Sequence, residues 1–135
     1  MITITSKYLG NLRIESTHTP SNNTLITDAP KDNNGKGEAF SPTDLVATAT
    51  LNCMITIMGI KANQSGIDIS GTEGKVNKIM ASDPRRIGEL EIEITVPTKG
   101  LSSKDKTILE RAAMTCPVIE SLAADIKKTV KFNFN

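Results

Sequence analysis

Two cysteines are the residues whose type and setting most plainly offer chemistry. Cys53 ends the run Ser41-Pro42-Thr43-Asp44-Leu45-Val46-Ala47-Thr48-Ala49-Thr50-Leu51-Asn52-Cys53, which is apolar and helix-like. Cys116 lies in Ala112-Ala113-Met114-Thr115-Cys116-Pro117-Val118, and the chain holds no other cysteine. A thiolate can attack a peroxide oxygen, and a second thiol can then close a disulfide. That is a complete two-electron cycle requiring no cofactor. The competing reading is two buried core residues, because free cysteine behaves as a small hydrophobe.

The two thiols differ in local setting. Pro117 suits the first position of a helix, which puts Cys116 near the N-cap. Free backbone N–H groups and the positive dipole end there are expected to lower its pKa and make it the more acidic thiol. Cys53 sits inside a helix, without that help. Residues 45–60 carry no cation, so one that activates Cys53 must come from elsewhere: Arg13, Arg85, Arg86, Arg111 or Lys36.

His18, the single histidine, falls in a polar strand-to-turn segment and reads as a surface residue. One histidine and two distant cysteines do not make a metal site. There is no P-loop, dinucleotide fingerprint or zinc-peptidase motif, so neither a metal nor a bound cofactor is expected. No serine or threonine occupies a nucleophile elbow. A hydrolase or transferase using Cys116 as nucleophile lacks an evident base.

The elements that would position these thiols belong to one domain. The chain has 135 residues, enough for a core without disulfide staples. Its 16 basic and 15 acidic residues give a net charge of +1, which points to neither nucleic acid nor an anionic membrane as partner. With no Trp, one Tyr and three Phe, an aromatic stacking platform is not expected. Met1-Ile2-Thr3-Ile4-Thr5 shows neither the basic nor the apolar region of a signal peptide. The best membrane-span candidate, 45–62, is broken by Thr48, Thr50, Asn52, Thr56, Gly59 and Lys61 and reads better as a core helix. The expected location is therefore the cytoplasm, where two cysteines are more often free or redox-cycling than a structural bridge.

Period-two alternation predicts strands at 2–5 and 12–15, joined at Gly10-Asn11, and a third at 24–27. Residues 28–39 are a polar loop, long enough to suggest a role. Ser41, Pro42 and Asp44 mark a helix start with a capping box in which Asp replaces Glu; the helix should run to about residue 60. Being apolar nearly all round, it should be covered by sheet on one side and another helix on the other. A strand follows over 67–80, with Gly71 and Gly74 as bends or bulges. In 89–96, Leu90, Ile92, Ile94 and Val96 alternate with Glu89, Glu91 and Glu93; an exposed strand face explains these glutamates better than a metal site. Helices follow from Ser102 and from Pro117, and a last strand places Val130, Phe132 and Phe134 on one face. The fold class is α+β, mostly antiparallel.

Ser41-Pro42-Thr43-Asp44-Leu45 leading to Cys53, followed by Thr115-Cys116-Pro117-Val118-Ile119-Glu120-Ser121-Leu122, resembles the OsmC/Ohr superfamily over nearly the whole chain. The resemblance implies an OsmC-like fold over 1–135: antiparallel sheets around two central helices in an intertwined homodimer. It implies a peroxidase that reduces organic hydroperoxides, with hydrogen peroxide as a further substrate, in oxidative or osmotic stress. Cys53 would be the peroxidatic thiol and Cys116 the resolving one. A dithiol such as a lipoylated protein would reopen the disulfide. Family peroxidases activate the first cysteine with an Arg–Glu pair whose glutamate directly follows the helix-starting proline. Here that position is Thr43, and Asp44 is about 100° further around the helix. Glu38 in the preceding loop is the candidate substitute, and Arg13 the candidate arginine. The alternative is a non-catalytic OsmC-like dimer, binding a small molecule or purely structural, with buried cysteines.

Overall fold

Asn11 and Leu12 both adopt positive φ, 53° and 62°, the combination whose twist matches a two-residue hairpin. In the computed structural model, which describes residues 1–135, this turn joins β1 (Ile4–Gly10) to β2 (Arg13–His18). Strand β3 (Asn23–Asp28) pairs antiparallel with β2, completing a sheet in the order β1-β2-β3. The first strand starts and ends later than the sequence suggests, at Ile4 and Gly10, because Tyr8 still pairs with Ile14 before the bulge at Gly10. The loop after β3 contains a 3-10 turn at Lys31–Asn33.

Helix α1 (Pro42–Gln64) begins as the sequence predicts. The Ser41 hydroxyl accepts from the Asp44 amide and the Asp44 carboxylate accepts from the Ser41 amide, each at 3.0 Å. The two groups thus satisfy each other's open donors, as a capping box does. The helix runs one turn past the expected end, to Gln64, and the chain leaves it through Gly66 at a φ of 69°, which glycine adopts at low cost.

The chain divides into two compact units, Met1–Val46 and Ala47–Asn135. The second unit holds a sheet in the order β4-β5-β6, with β4 (Glu73–Ala81), β5 (Arg86–Val96) and β6 (Lys127–Phe134). Strands β4 and β5 are antiparallel, whereas β5 and β6 are parallel, since the chain between them crosses over through α2 (Ser103–Met114) and α3 (Pro117–Ser121). Three of the four strand pairings are antiparallel, so the fold is α+β and mostly antiparallel.

Two expectations are corrected here. Residues 67–72 are not strand: Asp68 accepts from the Ser70 amide and the Thr72 amide bonds back to Ile69, so the segment is a turn and β4 starts at Glu73. Gly74 is not a bulge either. It pairs with Ile94 in register, and the irregularity lies at Ile79/Met80. A Cβ on Gly74 would stand 2.6 Å from Leu51 Cδ1 and 3.1 Å from Ile55 Cδ1. Glycine is therefore required there because α1 lies directly on β4.

The core of this second unit follows the predicted alternation: Leu90, Ile92, Ile94 and Val96 of β5 are buried, with Leu109 and Ala113 of α2. The glutamates between them are on the outer face and are paired. Glu93 meets Lys75 at 3.4 Å and Lys131 at 3.8 Å, Glu91 accepts from Asn77, and Glu89 accepts from Thr129. Along α1 only the stripe Ala47, Thr50, Met54, Met58 and Ala62 is buried. The chain by itself therefore leaves much of this apolar helix uncovered.

Candidate functional site

Cys53 occupies α1 one position before buried Met54, off the packed stripe, and is half-buried. Cys116 is fully buried and lies in the short connection between α2 and α3. It is the N-cap of α3, its Sγ accepting from the Ile119 amide at 3.4 Å, with Pro117 in the first helical turn. Both cysteines are free. They lie near enough to interact, Cys53 being among the groups that raise the pKa of Cys116. The fold thus brings together two thiols that lie 63 positions apart in sequence.

The direction of the Cys116 shift reverses the expectation from its N-cap position. Burial pushes its pKa above the ordinary thiol value, outweighing the Ile119 amide; Cys53 adds a further upward push, and the Val118 amide a smaller downward one. The helix start acts in the anticipated direction, but desolvation of a thiolate in a closed site is the larger effect. Folding therefore strengthens the hold of Cys116 on its proton. The associated stability is fully present below the unfolded thiol's value, about 9, and is lost as pH rises through the higher folded value. Urea unfolding of the wild type between pH 7.5 and 10.5 should show a fall above pH 9 that is smaller in Cys116→Ser, since serine does not ionise there.

In the first unit, Arg13 begins β2 opposite Asp28, the last residue of β3. Arg13 donates from Nε to Asp28 Oδ1 at 2.7 Å and from Nη2 to Asp28 Oδ2 at 2.8 Å, a two-pronged pair. Nη2 also donates to Glu38 Oε1 at 2.9 Å. The Glu38 amide closes the group by donating to Asp28 Oδ2 at 3.1 Å. Asp28 is 1% exposed and Glu38 64%. The Arg13 guanidinium, with the Glu38 amide, holds the Asp28 carboxyl below the usual carboxylate range against the opposing effect of burial. In return Asp28, and to a lesser degree Glu38, raises the pKa of Arg13.

The structure thus joins Arg13 to Glu38 in one cluster, and separately sets Cys53 near Cys116. Asp28 escaped the sequence reading, which treated it as the first residue of a polar loop; its position opposite Arg13 in the β2–β3 pairing was the available signal. Thr43 lies in the first turn of α1, its hydroxyl 3.2 Å from that of Ser41. His18 is exposed and sits 2.6 Å from the Ser21 hydroxyl through Nδ1.

Comparison with known proteins matches residues 35–131 to the family model described as OsmC-like protein. Among solved structures, a protein of Psychrobacter arcticus 273-4 named for an osmotic stress induced and detoxification response is 50% identical. It superposes with a TM-score of 0.94 over 98% of this chain and 96% of that one. An organic hydroperoxide resistance protein OsmC of Legionella pneumophila is similar in fold at 18% identity, with a TM-score of 0.72 over 98% of each chain. An organic hydroperoxide resistance protein of Elizabethkingia anophelis is likewise similar in fold, with 16% identity and a TM-score of 0.70 over 100% of this chain and 98% of that one. No curated protein sequence matches the chain.

Proposed function

This chain belongs to the OsmC-like protein family, and on that footing we propose that it is a cytoplasmic thiol-dependent peroxidase reducing organic hydroperoxides in a stress response. The observation that carries the reading is the nearness of the Cys53 and Cys116 thiols, close enough for one to influence the other. The Cys53 thiolate attacks the distal oxygen of the hydroperoxide. The O–O bond breaks, the alkoxide takes up a proton and leaves as an alcohol, and Cys53 becomes a sulfenic acid. The Cys116 sulfur then attacks the Cys53 sulfur, expelling water and forming the disulfide. A dithiol, such as the dihydrolipoyl group of a lipoylated protein, reopens it by two successive exchanges and is itself oxidised.

The roles of the two thiols follow from their settings. A half-buried Cys53 can be reached by substrate. Cys116, buried and holding its proton, is a poor first nucleophile and a suitable second one, since it needs only to reach a sulfur already close by. Arg13 is the cation assigned to activate Cys53, and Glu38 takes the part that the family gives to the glutamate at the position of Thr43. Because so much of apolar α1 is left uncovered in one chain, as are the half-buried faces of Val130, Phe132 and Phe134, the active species is a homodimer in which residues 1–135 act as one domain. Neither a metal nor a bound cofactor is required.

The test is a free-thiol titration of reduced protein before and after cumene hydroperoxide, with hydrogen peroxide in parallel. Both thiols should disappear within seconds to minutes without cross-linking between chains. Two thiols still free after prolonged exposure would sink the peroxidase reading. The same result would favour a binding or structural dimer, a reading that the raised and fully buried Cys116 also suits.

A further inference from the structure

The connection that carries Cys116 is slight. Helix α3 has five residues, of which it buries Ile119 alone. A helix so short does not hold by its own hydrogen bonds. Its start depends on Cys116, whose Sγ accepts from the Ile119 amide at 3.4 Å and whose carbonyl accepts from the Glu120 amide at 3.1 Å. Two further bonds close the segment. The Ser121 hydroxyl donates to the Pro117 carbonyl at 2.7 Å, and the Leu122 amide donates to the Ile119 carbonyl at 3.2 Å. Cys53, by contrast, lies in the middle of the 23-residue helix α1, where hydrogen bonds of the turns on either side fix its backbone. One sulfur therefore sits on a rigid element, and the other caps a weak one. The capping sulfur is also wholly buried, whereas Cys53 is half-buried.

We propose that α3 is a redox-operated flap: closing the Cys53–Cys116 disulfide draws the Cys116 sulfur off the Ile119 amide, and residues 117–122 loosen to admit the dithiol reductant. This rests on the disulfide of the proposed peroxidase cycle, in which the two thiols give two electrons and two protons to the hydroperoxide, which leaves as alcohol and water. Two non-bonded sulfurs must approach by about 1.5 Å to become bonded. The long helix does not yield, so the movement falls on Cys116. An amide left buried without an acceptor is costly, and the segment relieves that cost by opening to water. Opening has a chemical use. Exchange requires the attacking thiolate to reach a disulfide sulfur, and a closed α3 covers that of Cys116. Once reduced, the sulfur caps α3 again and is shut away from a second equivalent of peroxide, which limits its irreversible oxidation.

Hydrogen exchange of the full-length protein, read by mass spectrometry, tests the flap in the reduced form and in the form made with one equivalent of cumene hydroperoxide per chain. Loss of both thiols by titration, without cross-linking between chains, identifies the disulfide form. Amides in 118–122 should exchange at least about 10-fold faster in that form, while those of α2 and β5 keep their rates. Cys116→Ser, whose hydroxyl can cap α3 but cannot close a disulfide, should show the slow rate with and without peroxide. Acceleration there would trace the loosening to oxidation of Cys53 alone and overturn the proposal. An unchanged rate in the confirmed disulfide form overturns the flap and leaves the peroxidase reading standing, whereas thiols that survive peroxide overturn both. The covering role is read in reduced Ile119→Ala, which removes the buried anchor of α3. Iodoacetamide should alkylate Cys116, located by peptide mass mapping, at least about 10-fold faster than in the wild type, with the rate at Cys53 unchanged. An equal rate at Cys116 means that α3 does not cover it and overturns the proposal. The exchange comparison uses the natural sequence, so it decides even where Ile119→Ala does not fold.

Discussion

Cys53→Ser is expected to lower hydroperoxide turnover by at least about 1,000-fold, the scale on which an enzyme loses activity when its nucleophile is removed. Cys116→Ser should behave differently. Without a resolving thiol, Cys53 can still make its first attack, so one equivalent of cumene hydroperoxide should be consumed per chain and a sulfenic acid should persist, trappable by dimedone and visible by mass spectrometry. Steady-state turnover then depends on direct reduction of that sulfenic acid by the added dithiol. The asymmetry between the two variants separates a peroxidatic and a resolving thiol from two equivalent ones. If the single-turnover burst survives in Cys53→Ser and vanishes in Cys116→Ser, the roles are reversed, and the N-cap of α3 would then outweigh the burial that raises Cys116. Both variants should fold, because serine is close in volume to cysteine and can cap α3 in its place.

What could be read from the sequence depended on how local its cause was. The start of α1 was legible because Ser41, Pro42 and Asp44 act on neighbours no more than three residues away, and those bonds are present at 3.0 Å. Strand β5 was legible because its alternation is a property of the strand alone. The placement of Cys116 at a helix start was legible for the same reason, through Pro117. The direction of its pKa shift was not, since that depends on burial supplied by segments remote in sequence. Likewise, nothing in the run Ile26-Thr27-Asp28 says that Asp28 will lie beneath Arg13. That follows from the register of two strands joined through a turn, and a slip of one residue would have turned the carboxylate to the other face. The parallel pairing of β6 with β5 had no local signature either, being set by the crossover through α2 and α3. Gly74 could be read as irregular but not as a point of close approach, because only the packed helix reveals that Leu51 occupies the space a side chain would need.

The largest stability effect should come from Ile94→Ala, because the position lies where the three strands of the second unit and α1 meet. Ile94 is fully buried in the central strand, with Gly74 opposite on β4 and Phe132 opposite on β6. Residues directly opposite in a sheet share a face, so Ile94 lies on the side of the sheet where Leu51 and Ile55 of α1 close over Gly74. Truncation to alanine removes apolar contacts and leaves a cavity, at a cost of about 2–5 kcal/mol depending on how far the neighbours collapse. Collapse is restricted here, since Gly74 has no side chain to move inward and the chain on either side of it is fixed by strand pairing. We therefore expect about 4 kcal/mol, in the upper part of that range. Glu93→Ala, on the opposite face of the same strand, should change stability by about 0.5 kcal/mol or less, its lysine partners being exposed. Urea unfolding of both variants at one protein concentration would check the contrast, a fixed concentration keeping association between chains from entering the comparison. A cost below about 1 kcal/mol for Ile94→Ala would mean that the contact of α1 with the sheet is not what holds this unit together. The same contact bears on the chemistry. Leu51 and Ile55 flank Cys53 on α1, so a cavity beneath them should loosen the register between Cys53 and Cys116, and disulfide formation after peroxide should slow in Ile94→Ala even where the protein remains folded.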